Sequence, residues 1–349
     1  MALSQYLSDK IKVVSFIAIL FVLYIHSGFH DYPHEILGME FNHCLQSTIS
    51  GQLGRCAVPL FYMISGYLFF QNVSSLRDVL IKMKKRFKSL LIPYIIAALF
   101  FPIFLLFMEQ VPFAANMSNG GGIYIEFQKP IGDVLKELFF VKNGSNFPLA
   151  FHLWYLRDLI IIVVCTPLLF YFRNYLNSKL VCFIFFVLSY VNTTTLQFSS
   201  FFWFMVGESF LLKIENIRSW IWPIVYIIIS IIEMVFPCDY LTYMQIPFTF
   251  VGVVAIWSLY NLLVDKSFSL KDHYYLVTAC SFTFFIYLFH EPTLNIVRKL
   301  LILILGRTSL GFAINYLVSP WIFAYIFIVI GCVFRKFATR IYSICVGGR

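Results

Sequence analysis

Charged side chains are scarce in this sequence: Asp, Glu, Lys and Arg together make up 12% of its 349 residues, whereas hydrophobic residues make up 60%. Such a composition excludes an ordinary soluble domain and indicates that the solvent of this chain is largely lipid. Apolar stretches of about 17 to 25 residues recur along the chain, and no long polar segment is left over to form a soluble domain. We therefore predict an all-α, polytopic transmembrane bundle in a single domain, residues 1–349.

The sequence lacks cysteines at the close spacing of a metal site or of a small disulfide framework, although it contains 8 of them. Cys44 and Cys56 fall near the same predicted membrane face, and their pairing stays open. His26 and His30 have helical spacing, but His30 already lies in the polar stretch HDYPHE, so we expect no metal ion. No small-residue cleavage pattern follows the first apolar stretch, which we therefore read as a retained helix.

The net charge of +9 does not predict nucleic-acid binding, because the basic residues crowd into short loops between apolar segments. The densest basic loop lies within residues 77–88. Since cytoplasmic loops of membrane proteins are enriched in Lys and Arg, this loop predicts a cytoplasmic location for itself and for both termini. Three basic residues disagree, because they fall on the outer side in this scheme: Arg298, Lys299 and Arg307.

Apolar runs predict about ten helices. Their expected ranges are 11–28, 54–72, 89–108, 152–172, 180–197, 198–212, 219–236, 244–264, 274–290 and 312–334. The segment 109–150 becomes the largest outer loop and a candidate lid over a binding site.

Ionisable residues from four separate segments fall at the outer end of this predicted bundle. They are His26, Arg55, His152 and the adjacent pair His290 and Glu291. Ionisable residues in or near a membrane are candidates for a functional site. Each has a simpler alternative, because a histidine at a helix end can lie in the headgroup layer and Arg55 can extend to the interface.

Clustered histidines favour general-base catalysis. Histidine can take a proton from an alcohol near neutral pH, and a neighbouring carboxylate would hold its tautomer and stabilise its charged form. We place Trp154, Arg157, His290 and Glu291 in the pocket for the acceptor, although Trp154 could also be an aromatic anchor at the membrane interface.

Six stretches, in this order, resemble the acyltransferase-3 family of integral membrane O-acyltransferases. They are KVVSFIAILFVLYIHS, GRCAVPLFYMISGYLFF, KKRFKSLLIPY, HLWYLRDLIIIVVCTPLL, FFWFMVGESFLL and FTFFIYLFHEP. The resemblance covers nearly the whole chain. It implies an enzyme that takes an acyl group, usually acetyl from acetyl-CoA, and places it on a hydroxyl of a surface carbohydrate or its lipid-linked precursor.

The resemblance also implies roles for particular residues. His26 matches the family histidine regarded as the general base, and Arg55 and His152 are candidates to orient the acceptor or stabilise charge. Many relatives carry an arginine eleven positions before that histidine, where this chain has Ser15, with Lys12 one turn earlier as a possible substitute. Three residues fall in the basic stretch associated with the donor: Lys85, Arg86 and Lys88.

Two other classes of function remain open at this point. A transporter or flippase for a lipid-linked glycan would also need buried charges and a large outer loop. A structural partner of a polysaccharide synthase is the third class. In each case we expect a multi-pass protein of a bacterial inner or plasma membrane, with membrane lipids as neighbours and no nucleic-acid partner.

Overall fold

The computed structural model describes residues 3–28, 36–111, 123–191, 197–235 and 244–348, and the fold is given for these residues. The described residues form α-helices joined by short connections, without any β-strand. The predicted all-α helical bundle is therefore confirmed. The polar stretch from His30 to Glu35, and the glycines at 120–122 of the predicted lid, lie outside the described residues.

The first half of the chain contributes seven described α-helices, of which the fourth is the longest. They are α1 (Gln5–His26), α2 (Ile36–Gln46), α3 (Ala57–Phe70), α4 (Leu76–Gln110), α5 (Ile123–Glu126), α6 (Ile131–Phe139) and α7 (Trp154–Leu176). A π-helical turn over Ser47–Leu53 and a 3-10 turn over Gly54–Cys56 connect α2 to α3.

The second half continues the bundle. Its described helices are α8 (Ser178–Leu188), α9 (Phe198–Ile214), α10 (Ile221–Val235), α11 (Gln245–Leu263), α12 (Tyr274–Ser281), α13 (Thr283–Leu305), α14 (Ser309–Phe337) and α15 (Thr339–Cys345). Each of the ten predicted helices thus corresponds to observed helix.

The largest difference from the predicted boundaries concerns the ninth helix. The structure divides the predicted range 274–290 at Phe282, whose φ of −99° and ψ of 2° are not helical, and α13 then continues through Leu305. The apolar residues after Pro292 allow this continuation. Arg298 and Lys299 consequently lie on a helix and not in the loop where the sequence pattern placed them.

Five described helical segments are long and apolar enough to cross a membrane by length and composition. These segments are Phe41–Phe70, Leu76–Gln110, Phe151–Leu176, Gln245–Leu263 and Ser309–Phe337. Helices α1 and α13 are also long, but each carries three charged residues. In α13 these are Glu291, Arg298 and Lys299, of which Glu291 and Arg298 belong to the site described below.

The bundle has two ends that differ in chemistry. Helix α1 runs from a basic end, marked by Lys12, to a histidine end, marked by His26. Helix α14 returns to the basic end, where the Arg335 guanidinium donates to the Ser281 hydroxyl at 3.4 Å. The N-terminus of α1 and the C-terminus of α14 therefore lie at the same, basic end of the bundle.

Helices α3 and α9 pack at backbone contact through two glycines. A Cβ atom added at Gly66 would lie 1.9 Å from the carbonyl oxygen of Phe204, and one added at Gly207 would lie 1.9 Å from the carbonyl oxygen of Met63. Small residues allow this approach, which strengthens van der Waals contact between helices in lipid. The contact fixes α3 beside α9 and so one wall of the bundle interior.

Candidate active site

His26 is the last residue of α1 and faces other protein groups at the histidine end. Its Nδ1 atom lies 3.8 Å from Oε1 of Glu291, and its ring centroid lies 5.0 Å from that of His290. The Phe151 ring covers another side at 5.4 Å. With 20% of its side chain exposed, His26 keeps one limited route to an incoming molecule.

His152 and His290 extend this group into the bundle, and both are almost fully buried. Nδ1 of His290 donates to the carbonyl of Tyr287 at 2.7 Å, and Nε2 of His152 donates to the carbonyl of Leu288 at 3.3 Å. Because a carbonyl can only accept, each contact fixes the neutral tautomer. The remaining nitrogens, Nε2 of His290 and Nδ1 of His152, carry lone pairs and have no hydrogen-bond partner among the described residues.

The backbone of α13 turns Glu291 toward His26. Glu291 has φ −105° and ψ 136°, far from helical values, and Pro292 follows it. Proline lacks an N–H and disfavours the helical conformation of the residue before it, so the helix breaks at this point. The break is what places a 3%-exposed carboxylate beside the imidazole that ends α1.

Arg298 connects this carboxylate to the end of α1. Its guanidinium donates to the carbonyl oxygens of His26, at 2.8 Å, and Gly28. It also donates to Oδ1 of Asn295 at 2.9 Å, and the Asn295 amide donates to Oε2 of Glu291 at 3.1 Å. The last carbonyls of a helix have no partner within the helix, and a cation there is favourable. Arg298 thus holds both His26 and Glu291 in place.

Replacing Arg298 with glutamine should lower kcat by roughly 10- to 100-fold, because a small displacement of a reacting group has an effect of that order. The KM for the predicted acyl donor should stay the same, because Arg298 lies at the opposite end from the cavity that Arg86, a predicted donor residue, lines. Arg298→Lys should retain more activity than Arg298→Gln. Kinetics of membrane vesicles test this, with exposed Arg307→Gln as the matched loss of charge; equal losses in both variants would contradict the positioning role.

Arg55, a predicted member of the cluster, contacts a different partner. Its guanidinium lies 3.2 Å from Oε2 of Glu233 on α10. Trp154 packs on Phe147, with ring centroids 6.3 Å apart. The structure therefore brings together His26, His152, His290 and Glu291, while it places Arg55 in an ion pair with another helix.

Arg157 is buried and fastens the predicted outer loop. It donates to the adjacent Asp158 carboxylate and to the carbonyl oxygens of Phe140 and Asn146 at 2.9 and 3.0 Å. These bonds connect the C-terminal part of the loop, at Phe140 and Asn146, to the first turn of α7. Phe151, which directly follows this loop, covers His26 with its ring.

Ion pairs order the described part of the same loop. Lys129 lies 2.9 Å from Glu137, and Lys142 lies 2.9 Å from Glu126. Hydrogen bonds from Lys129 and then from Lys142 lower the pKa of Glu126 to about 2. Glu126 therefore keeps its negative charge, and with it its ion pairs with Lys129 and Lys142, throughout the neutral range.

A cavity of about 630 Å³ opens at the basic end, on the far side of the bundle from His26. This volume is within the usual range for sites that bind small molecules and cofactors. Its cationic lining residues are Lys12, Arg86 and Lys271, and Ser15 also lines it. Of the three predicted donor residues, Arg86 lines the cavity, whereas Lys85 and Lys88 are exposed and outside the lining.

Lys12 and Ser15 thus face the same space, one turn apart on α1. The position of Ser15, where the family resemblance leads one to expect arginine, is open to the cavity, and Lys12 supplies a cation nearby. Lys12 also lies 3.7 Å from Asp9. A positive charge is therefore retained at this wall from a neighbouring turn of the helix.

The cavity reaches inward to Tyr155 and Tyr287, directly before the histidines. Tyr287 lines the cavity, and its ring centroid lies 6.0 Å from that of His290. Its hydroxyl donates to the carbonyl of His152 at 3.1 Å. The cavity and the histidine cluster are therefore neighbours separated by one aromatic side chain.

The comparison with protein families gives this geometry a biochemical setting. A family model described as an acyltransferase domain matches residues 9–335. The chain belongs to the acyltransferase-3 family. No curated protein and no solved structure matches the chain. Family membership and the apolar helices together identify a multi-pass membrane acyltransferase.

Within the described residues, no group of three or more His, Cys, Asp and Glu side chains has the arrangement of a metal site. Cys44 and Cys56 are both free thiols, the first exposed and the second buried. Cys280 lines the cavity at the basic end. These two accessible thiols, Cys44 and Cys280, lie at opposite ends of the molecule and serve as reporters below.

Proposed function

We propose that this acyltransferase moves an acetyl group from acetyl-CoA to a hydroxyl of a surface carbohydrate or of its lipid-linked precursor. The observation that carries the proposal is the His26–Glu291 pair beside His290, one tyrosine away from a cavity with a cationic entrance. Transfer of an acyl group between substrates that enter from opposite ends of the bundle requires a base close to the inner end of the donor site, and this arrangement provides both.

In this mechanism His26 takes the proton of the acceptor hydroxyl as its oxygen attacks the thioester carbonyl. The tetrahedral intermediate then collapses, the carbon–sulfur bond breaks, and CoA leaves as a thiolate that receives the proton from His26. Glu291 faces Nδ1 of His26, so it orients the ring with Nε2 toward the hydroxyl and stabilises the imidazolium. A positioned base contributes about 10²- to 10⁴-fold in rate.

The cavity suits acetyl-CoA by its charge and its apolar walls. Lys12, Arg86 and Lys271 provide cations for the phosphates at the entrance, and basic side chains pair strongly with phosphate. Farther in, Leu156 and Leu159 of α7 provide an apolar wall for the uncharged arm of the donor. We assign the donor to this cavity.

The acceptor would reach His26 from the histidine end. The lone pairs on Nε2 of His290 and Nδ1 of His152 are buried, and leaving such acceptors without a donor costs about 1 to 3 kcal/mol each. No space for a water molecule lies beside these atoms, so hydroxyl groups of a carbohydrate would satisfy them only when the acceptor moves the two rings apart on binding. We propose that His152 and His290 orient the acceptor while His26 removes its proton.

The positive-inside pattern supports a cytoplasmic basic end, in a bacterial inner or plasma membrane. Acetyl-CoA would then enter from the cytoplasm and the carbohydrate from the opposite face. Arg298 then lies on the outer side, where this pattern predicts few basic residues. Its hydrogen bond to the carbonyl of His26 at the end of α1 explains this location. A transporter or flippase would not need a His–carboxylate pair that is one tyrosine away from a cavity suited to acetyl-CoA.

Transfer is tested with inside-out membrane vesicles and acetyl-CoA labelled in its acetyl group. The expected result is label in a carbohydrate product from which mild alkali releases it, as for an ester. Movement of a glycan across the membrane without label in any product would contradict the enzyme and favour the transporter.

The donor site has its own test in the labelling of Cys280 by maleimide. Acetyl-CoA should protect Cys280, which lines the cavity, and should leave Cys44 at the other end unprotected. Arg86→Gln should raise the acetyl-CoA concentration for half protection by about tenfold or more, because bonds to charged groups contribute about 1.5 to 3 kcal/mol. Peptide mass spectrometry reads both thiols, and exposed Lys84→Gln is the control on the same helix. If acetyl-CoA does not change the labelling of Cys280, the assignment of the donor to this cavity is wrong.

A further inference from the structure

Two tyrosines close the inner end of the donor cavity. The rings of Tyr155 on α7 and Tyr287 on α13 lie 5.5 Å apart and meet at 88°, edge to face. We call these two side chains the tyrosine wall. Both line the cavity, and Tyr287 is in ring contact with His290 on its other side.

Behind the wall the packing is dense. Nδ1 of His152 and Nε2 of His290 are inaccessible to water, and neither has a hydrogen-bond partner among the described residues. The rings of His152 and His290 lie 4.9 Å apart, and Phe101 packs on His152 at 5.8 Å. Beside these two atoms there is consequently no gap as large as a water molecule, and a long carbon chain has no room there.

The two members of the wall have different neighbours. The ring of Tyr155 is packed against that of Tyr62 at 4.7 Å and that of Phe61 at 5.8 Å, so neighbours enclose it. Tyr287 packs on Phe284, with ring centroids 6.2 Å apart, as well as on Tyr155 and His290, and its hydroxyl donates to the carbonyl of His152. Tyr287 is the member that lies between the cavity and His290, so the size of its side chain decides how much passes.

We infer that Tyr287 sets the longest acyl chain that the enzyme transfers. This inference rests on the proposed function. The thioester carbonyl must reach a hydroxyl held at His26, so the carbon chain attached to that carbonyl must be accommodated at the wall. An acetyl group needs a small displacement of the Tyr287 ring, whereas a longer chain needs the space that the ring itself fills.

The experiment compares labelled acetyl-, butanoyl- and octanoyl-CoA as donors in inside-out vesicles that contain the full chain. The wild type should transfer acetyl and discriminate against octanoyl. Tyr287→Ala should raise the octanoyl-to-acetyl ratio of transfer rates by about tenfold or more, since pocket size discriminates by this order per methylene. Tyr287→Phe keeps the ring without the hydrogen bond, so it should keep the wild-type ratio.

Protection of Cys280 separates the outcomes. If acetyl-CoA protects Cys280 and donates its acetyl group, but Tyr287→Ala leaves the ratio unchanged, the inference on Tyr287 is overturned and the proposed function stands. If acetyl-CoA neither protects Cys280 nor donates its label to any product in the wild type, both are overturned. Should Tyr287→Ala fail to fold, Tyr287→Leu replaces it, and an unchanged ratio in that variant also overturns the inference.

Discussion

Replacing His26 with glutamine should lower the rate of acyl transfer by about 10²- to 10⁴-fold, the contribution of a positioned general base. Glutamine fills a similar volume and cannot take a proton near neutral pH. Insertion of the protein should not change, because His26 is at the end of α1, its ring is partly exposed, and glutamine fills a similar volume against His290 and Phe151. Label transfer from acetyl-CoA measures the effect, at equal amounts of protein in the membrane.

His43→Gln is the matched control for this variant. His43 is on α2, it is exposed, and it has no part in the cluster. Its replacement should leave the transfer rate at that of the wild type. Donor protection of Cys280 should also survive in His26→Gln, because the donor cavity lies beyond Tyr287. Wild-type transfer by His26→Gln would exclude His26 as the base.

Glu291→Gln should reduce transfer by roughly 10²- to 10⁴-fold, the scale of replacing the carboxylate that orients a catalytic histidine. The amide has nearly the shape of the carboxylate, but it cannot stabilise an imidazolium and can donate to the wrong ring nitrogen. Glu137→Gln is the control, because Glu137 is another buried carboxylate, 2% exposed, at the same end of the bundle. Its rate per inserted molecule should match the wild type.

A double variant sharpens this prediction. If Glu291 acts through His26, the His26→Gln, Glu291→Gln protein should be no slower than His26→Gln alone, since residues that act as a unit have non-additive effects. Kinetics of the four proteins give the coupling. If the rate of the double variant is reduced by the product of the two single reductions, Glu291 acts independently of His26.

The helices were largely predictable because the apolar stretches are long. The basic segment 77–88, which was predicted as a loop, is instead the first part of α4. Length and hydropathy carry less information about where a helix ends. The ninth helix illustrates this, because Pro292 indicates an end, whereas the structure breaks the helix at Phe282 and at Glu291 and then continues to Leu305. Because of this continuation, Arg298 lies on a helix of the bundle and not in the loop that the sequence predicted.

The candidate site was predictable to the extent that polar residues are rare in an apolar chain. His26, His152, His290 and Glu291 were all selected by their depth, and the structure brings them together. Arg55 shared that depth but points to Glu233, because depth along a helix says nothing about direction around its axis.

Other parts of the site left weaker signals in the sequence. Asn295 and Arg298 follow Glu291 at four and seven residues, a helical spacing that indicates one shared face once α13 is known to continue. Tyr287 is one aromatic residue among 21 tyrosines. Its location between a cavity and the histidines depends on the packing of distant helices, which no local pattern reveals.

The most direct measurement of the central claim is mass spectrometry of surface glycans from three strains. One lacks the protein, one is complemented with the wild type, and one with His26→Gln at equal membrane abundance. The account predicts that an alkali-labile acyl group appears on the glycans only with the wild-type protein. Identical glycan acylation in all three strains would contradict it.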